Sequence, residues 1–348
     1  MKKVKSVFRL TSLLLVMLTV CLPVKVFASN YCARVTAKVV GEGKVYVNYN
    51  DASDNPAYTT PQSMAEHTRQ SYGGGAGNQT YHLYAQANDG CKFVGWFANE
   101  DCTGDPQSTN SHYQVSVAEI NENNFSDDDS YDYYAQFAVS VNISSVGYST
   151  LYYSTSNLIV PAGVTAYTYK VTNMLEVSHT YNADEVIPKG TAVVLQGNAG
   201  SYDFLCTNKA GTSDAENMLK GTDAAATTTG GTYYYALTLN KAGDPESIGF
   251  YWMNSTGGAF NNGAHKAYLP LSSTFAELAQ QNGVKGFLII NEDDATGIHN
   301  IEADNNVDGS SDAATDGKGT AIYNLAGQRI QKMQNGINII NGKKILKK

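Results

Sequence analysis

Apolar and polar residues alternate along several short stretches of this chain, and a two-residue period buries one face only when the backbone is extended. Val45, Val47 and Tyr49 alternate with Lys44, Tyr46 and Asn48, and Tyr81, Leu83 and Ala85 alternate with His82, Tyr84 and Gln86. Composition agrees with strands. Tyr is over-used at 24 residues and Gly reaches 32, beside abundant Thr, Ser and Asn, which suits pleated sheets and tight turns better than helices. The expected fold class is therefore all-β, in two β-rich domains with a short hairpin tail.

The first domain is expected over residues 29–138. Its two alternating strands flank residues 50–79, a polar stretch ending in SYGGGAGN that reads as a long loop. These glycines do not make a phosphate loop, because no G-K-[ST] follows and no helical run begins after them. Further strands are expected at GCKFVGWF, around Tyr113, Val115 and Val117, and around Tyr133, Ala135 and Phe137.

The second domain is expected over 139–298. Strand candidates are 139–145, 149–153, 166–171, 191–196, 202–205, 232–239, 248–253, 266–269 and 286–290. The turns Pro161-Ala162-Gly163, Pro188-Lys189-Gly190 and Asn261-Asn262-Gly263 come at the intervals of a β-sandwich. One short helix is expected at 274–281, opened by Thr274 and Glu277 and stopped by Asn282-Gly283.

Both ends read as addresses. Lys2, Lys3, Lys5 and Arg9 precede an apolar run from Leu13 to Leu22, and Val26-Phe27-Ala28 fits a signal-peptidase site, so residues 1–28 read as a signal peptide. No later apolar run reaches the roughly eighteen residues that a membrane helix needs. Residues 299–320, rich in Asp, Asn, Ser, Gly and Ala, read as a flexible linker. In 321–348, Ile322 and Tyr323 run toward Gly327 and Arg329. A second run at Ile337, Ile339 and Ile340 turns at Asn341-Gly342 into Lys343 and Lys344, and Asn-Gly is a strong two-residue hairpin signal. The formal net charge is −8, and losing the basic leader makes the rest more acidic. Nucleic acid is thereby excluded as an expected partner, since phosphate binding needs clustered cations on the folded body.

The tail's Y-x-L-x-G-x-R and G-x-x-I-x-N-G-K-K patterns resemble the C-terminal sorting tail of type IX secretion cargo. The resemblance implies sorting residues at Tyr323, Gly327, Arg329, Gly336, Asn341, Gly342, Lys343 and Lys344, and the export machinery as the tail's partner. Residues 37 to 137 are similar to divergent internalin-type B-repeat modules of bacterial surface proteins, with Gly90, Phe93, Gly95 and Trp96 as the best-defined part. That likeness implies a spacer or adhesive role. The stretches GYSTLY, PAGVTAY, IPKGTAVVL, NMLKGT and HKAYLP look like an accessory β-sandwich module of exported proteins, which implies no catalytic residues.

Catalytic signatures are sparse. The six histidines, His67, His82, His112, His179, His265 and His299, stand apart with no HExxH, and there is no G-x-S-x-G elbow. Carboxylate pairs for glycoside hydrolysis meet only in space, and Asp203 or Glu216 is the candidate the sequence offers for a member of one. Cys32, Cys91, Cys102 and Cys206 remain after processing, and Cys91 with Cys102 is the simplest candidate disulfide, although four cysteines allow three pairings. No Cys/His spacing suits zinc. Asp304 to Gly309 matches half of a calcium loop but has Thr315 where the bidentate Glu belongs, and Asp127, Asp128, Asp129 and Asp132 read as a solvated run, so no metal or other cofactor is expected. Trp96 reads as a core plug. Tyr152-Tyr153 and Tyr233-Tyr234-Tyr235 supply the rings for a glycan platform or, more ordinarily, for cross-strand packing. The reading is a secreted or outer-membrane-surface protein, not an enzyme, with a structural or interaction role toward a glycan or surface protein. The alternatives are a carbohydrate-binding module and an extracellular glycoside hydrolase.

Overall fold

A computed structural model describes residues 28–49, 63–72, 74–126, 128–172, 175–272 and 286–289, and the backbone of 322–324, 329–330, 336–340 and 343–347. Among the described residues the chain is built from β-strands, with two single 3-10 turns at Glu122–Asn124 and Pro245–Ser247 and no α-helix. It divides into two compact units that alternate along the sequence. One takes residues through Lys38 together with Val45–Ala85 and Asn110–Tyr133; the other takes Val39–Lys44, Gln86–Thr109 and everything from Tyr134 onward. The sequence reading places one break after residue 138. The chain interleaves instead because Cys91–Phe97 hydrogen-bonds antiparallel to residues 134–139, drawing the GCKFVGWF segment into the second unit. A register shift between Phe93 and Gly95 bulges that strand, and a Cβ at Gly95 would stand 2.7 Å from Pro106.

The first unit packs two sheets. In one, Met64–Tyr72 and Ile120–Asn121 flank Ala28–Val40; in the other, Gly43–Tyr49, Asn78–Ala87 and His112–Ala118 lie side by side. The alternation expected from sequence is present: Val45, Val47, Tyr81, Leu83, Val115 and Val117 are all buried. Tyr81 joins the sheets by donating its hydroxyl to the Ala33 carbonyl at 2.5 Å. Residues 50–79 contain more than the expected loop, because Met64–Tyr72 is a nine-residue strand. Its sequence, MAEHTRQSY, hides the strand: among the described strands of its sheet it pairs only with Ala28–Val40, and within it only Ala65 and Ser71 are buried.

The second unit has three layers of sheet. The first runs Val186–Ile187, Asn157–Ile159, Gly200–Thr207, Tyr131–Ile143, Cys91–Phe97. The second runs Leu175–Tyr181, Val164–Val171, Val193–Gly197, Tyr148–Leu151, and the third Lys220–Thr222, Lys266–Leu271, Tyr233–Leu239, Ile248–Trp252, Gly286–Leu288. The middle layer contributes Leu151, Val164, Ala166, Val193 and Leu195 to a core shared with Val141, Leu158 and Phe204 of the first. From its opposite face Tyr148, Tyr169, Val171 and Val194 pack with Tyr235, Phe250, Leu269 and Leu271 of the third. Burying one such side chain contributes about 1.5–3 kcal/mol.

Every strand expected beyond residue 139 is found, among them Val164–Val171, Val193–Gly197, Tyr233–Leu239 and Ile248–Trp252. Gly163 and Gly190 hold the left-handed conformation of their expected turns, at φ 81° and 80°. Asn261–Asn262 departs from expectation: it is a two-residue strand against Ala226–Thr227, with Asn262 buried and donating to the Lys266 carbonyl and the Thr222 hydroxyl. Leu175–Tyr181 is a strand that the sequence reading does not assign. The expected signal peptide, the helix at 274–281 and the linker at 299–320 lie outside the described residues.

Tail strands Arg329–Ile330, Ile322–Asn324, Gly336–Ile340 and Lys343–Lys347 form a four-stranded antiparallel sheet in that order. Ile340 pairs with Lys343, which leaves Asn341 and Gly342 between the strands, as the hairpin signal requires.

Gly41 tests the packing of the second unit. It sits at φ 106°, and a Cβ there would lie 2.2 Å from Cys206 Cβ. Gly163 is also left-handed, but its Cβ would meet nothing nearer than Tyr202 at 3.8 Å. Urea unfolding should show Gly41→Ala losing about 2–4 kcal/mol, backbone strain plus overpacking, and Gly163→Ala about 1–2 kcal/mol from strain alone.

Candidate functional site

Two polar clusters stand out, one in each unit. In the first unit Glu119 follows the strand His112–Ala118 with its side chain fully buried. Its Oε1 accepts from Arg69 Nε and Gln79 Nε2, both at 2.6 Å, and its Oε2 accepts from Arg69 Nη2 at 2.5 Å and the Gly77 amide at 2.7 Å. Arg69 also lies over the Tyr31 ring, 5.7 Å from its centroid, and Tyr49 donates to Gln79 Oε1 at 2.6 Å while stacking on His67 at 3.8 Å. Burial pushes the Glu119 carboxyl up, but the hydrogen bonds from Arg69, Gly77 and Gln79 outweigh it and hold the group below the usual carboxylate range. With both oxygens doubly engaged, the carboxylate has no lone pair left to take a substrate proton. It acts as a clamp between the sheets.

The second cluster gathers around residues 152–156. Tyr153 stacks on His265 with ring centroids 3.9 Å apart, and Cys91 packs against the core that holds Tyr153. His265 holds a left-handed backbone, φ 55°, and its Nδ1 lies 3.3 Å from the Tyr152 carbonyl and 3.9 Å from Asp223 Oδ1. Asp223 accepts from the Ser154 amide at 2.9 Å and the Ser154 hydroxyl at 2.6 Å, and Glu42 accepts from the Thr155 and Ser156 hydroxyls. Ser154, His265 and Asp223 have the composition of a hydrolase triad but not its wiring. In a triad the serine hydroxyl donates its hydrogen bond to the imidazole; here Ser154 donates to the Asp223 carboxylate instead, and Nδ1 faces a backbone carbonyl. Sequence reading missed this cluster because residues 154, 223 and 265 carry no shared local motif.

The thiols are held inert. Burial, then the Glu42 charge, raises Cys91; burial pushes Cys206 up to about 12 and Cys102 up to about 11, so all three stay protonated at neutral pH. The expected Cys91–Cys102 bridge is not formed, and Cys32, Cys91, Cys102 and Cys206 are free thiols. Cys91 packs against the core that contains Tyr153 and Cys206, whereas Cys102 occupies a left-handed turn at φ 49° and packs on Val40, Phe97 and Tyr134.

The other residues singled out in the sequence are also engaged. Asp203 is held by Lys92 at 2.9 Å and Ser140 at 2.6 Å, and Glu216 by Lys170 at 2.6 Å. Each carboxylate has its own lysine. Tyr153, Tyr234 and Tyr235 are buried. Tyr152 covers Gly221, and Tyr233 stacks on Trp252 beneath Gly257, where a Cβ would stand 2.5 Å from the indole. Trp96 is fully buried, as expected. Among the described residues no group of three His, Cys, Asp or Glu is placed to hold a metal ion, and the Asp304 loop lies outside them. In the tail Tyr323 pairs with Arg329 and Ile339, Lys344 with Ile339, and Gly336 with Lys347; Gly327, Asn341 and Gly342 lie outside the described residues. No protein-family model, curated protein or solved structure matches the chain.

Glu119→Ala should cost on the order of 2 kcal/mol, because Arg69, Gly77 and Gln79 lose their shared acceptor. The folded carboxyl lies below its unfolded value, so its stabilisation is complete above the ordinary carboxylate range and disappears as pH falls through the folded value. Urea midpoints compared at neutral and acidic pH should fall further on acidification in the native protein than in the variant.

Proposed function

We propose that the chain is an exported protein, secreted or displayed on the outer-membrane surface, with a non-catalytic role in surface structure or interaction and a C-terminal tail that engages the export machinery. The observation that carries this reading is the sheet at 322–347. It joins the residues of the sorting pattern, Tyr323, Arg329, Gly336, Lys343 and Lys344, in one antiparallel sheet whose described strands all belong to the tail. A tail that forms its own sheet can be presented to a receptor without opening the rest of the fold. The strand Ala28–Val40 adds support, since cleavage after Ala28 would leave it almost intact as the first element of the mature chain.

The non-catalytic part rests on the two polar clusters. Glu119 is saturated by donors and Ser154 is bonded to Asp223, so each has a structural assignment. A carbohydrate-binding role has less support, because the rings of Tyr152, Tyr153 and Tyr233 to Tyr235 are engaged in packing.

Intact-mass measurement on protein recovered from the cell surface and the medium tests the export reading. The expected mass lacks residues 1–28, and lacks the tail as well in material released from the membrane. Protein confined to the periplasm with residues 321–348 retained would overturn it.

A further inference from the structure

The chain contains Asp-Pro bonds at Gly104-Asp105-Pro106 and Gly243-Asp244-Pro245, each behind a left-handed glycine, φ 82° and 80°. An Asp-Pro bond is open to attack by its own side chain. The carboxylate reaches the carbonyl carbon through a five-membered ring, and proline leaves as a secondary amine. What surrounds the scissile carbonyl differs between the two bonds. The Asp244 carbonyl oxygen accepts from the Ser247 hydroxyl at 2.7 Å and from the Ser247 amide at 3.0 Å, distances suited to holding an oxyanion. Ser247 is buried, and its Oγ accepts from the Lys241 amide at 3.0 Å, which turns the hydroxyl proton toward Asp244; the Lys241 carbonyl, at 3.2 Å, is the more distant acceptor. The Asp244 carboxylate accepts from the Glu246 amide at 3.2 Å, closing a ring that contains the Asp244–Pro245 bond, and Lys241 Nζ stands 3.9 Å from its other oxygen. Among the described residues no donor stands on the Asp105 carbonyl.

We propose that Asp244–Pro245 is a self-cleavage site, at which the chain cuts its own backbone without a protease. The proposal stands independently of the export reading. A carboxylate oxygen of Asp244 bonds to the main-chain carbonyl carbon of the same residue, and negative charge gathers on the carbonyl oxygen between the two Ser247 donors. The C–N bond then breaks, the Pro245 nitrogen takes a proton from solvent, and a cyclic anhydride remains on Asp244. Water opens the anhydride, leaving a free carboxyl terminus at residue 244 and a secondary amine at Pro245. Pro245 and Glu246 are exposed, so water and protons reach the bond. The cut falls between Tyr233–Leu239 and Ile248–Trp252, whose pairing from Tyr235 with Trp252 to Leu239 with Ile248 holds the two pieces in one sheet.

Denaturing mass spectrometry of the full mature chain, incubated at mildly acidic pH where circular dichroism shows it folded, follows both Asp-Pro bonds in one molecule. The cut after Asp244 should form faster in the folded chain than in the same chain unfolded in urea, by about tenfold to hundredfold, whereas Asp105–Pro106 gains nothing from folding. Ser247→Ala should slow the first cut about tenfold and leave the second unchanged, and Asp244→Ala should abolish the first. The comparison of folded with unfolded native chain decides the matter even if a variant does not fold. Cleavage at Asp244–Pro245 that is no faster in the folded chain than in urea, or a folded Ser247→Ala variant that cuts at the native rate, overturns the proposal.

Discussion

The middle sheet of the second unit satisfies two apolar interfaces at once, and the rest of that unit is arranged around this demand. Its strand Val193–Gly197 shows how. Ala192, Val193, Val194 and Leu195 are all buried, with Val193 and Leu195 in one core and Ala192 and Val194 in the other. A sheet covered on both faces cannot alternate polar with apolar, so its strands read as continuous apolar runs.

Polar groups near these cores are disarmed by hydrogen bonds, and the same bonds bear on function. Thr168, wholly buried on the middle sheet, gives its hydroxyl to Asp214 at 2.6 Å. Glu119 accepts four hydrogen bonds in the other unit, and Asp223 accepts the hydroxyl hydrogen bond that a catalytic serine would have directed at an imidazole. Of the three, Glu119 is the buried one, and its four donors lower the cost of burying it, whereas Asp214 is half-buried and Asp223 exposed. The tyrosines follow the same economy: rings that might have formed a sugar platform cover glycines, stack on His265 and Trp252, or fill the space between layers.

Legibility in the sequence followed burial. Strands with at least one apolar face, such as Asn78–Ala87, Val164–Val171 and Ile248–Trp252, were visible from pattern alone, and the Asn341-Gly342 hairpin was visible from turn chemistry. Three long strands escaped: Met64–Tyr72 and Leu175–Tyr181 are sheet edges among the described residues, whereas Ala28–Val40 is paired inside its sheet and was hidden beside the expected processing site. An edge strand is paired along one side and wetted along the other, so its composition is that of a loop: MAEHTRQSY and LEVSHTY carry few apolar residues between them. The layering was hidden for a different reason. Nothing local to Cys91–Phe97 says that its pairing partner lies some forty residues ahead, and the contacts joining Ser154 to Asp223 and Tyr153 to His265 span still longer separations.

That asymmetry between interior and edge bears on where a chain of this kind meets other molecules. The interior uses its aromatic and ionisable side chains for its own assembly. What remains outward is backbone hydrogen-bonding capacity at the sheet margins, together with the few large groups, Met64 and Tyr72 among them, that the margins expose. Backbone capacity recognises another extended strand and little else, because its donors and acceptors repeat along a line with a fixed spacing. Side chains alternating along the same line then choose among strands by charge and size. The tail obeys the same geometry with the opposite sign. Its two outer strands carry Arg329 and Lys343, Lys344 and Lys347, whereas the inner two carry no charge. Cations on an edge discourage pairing with another copy of the same cationic strand.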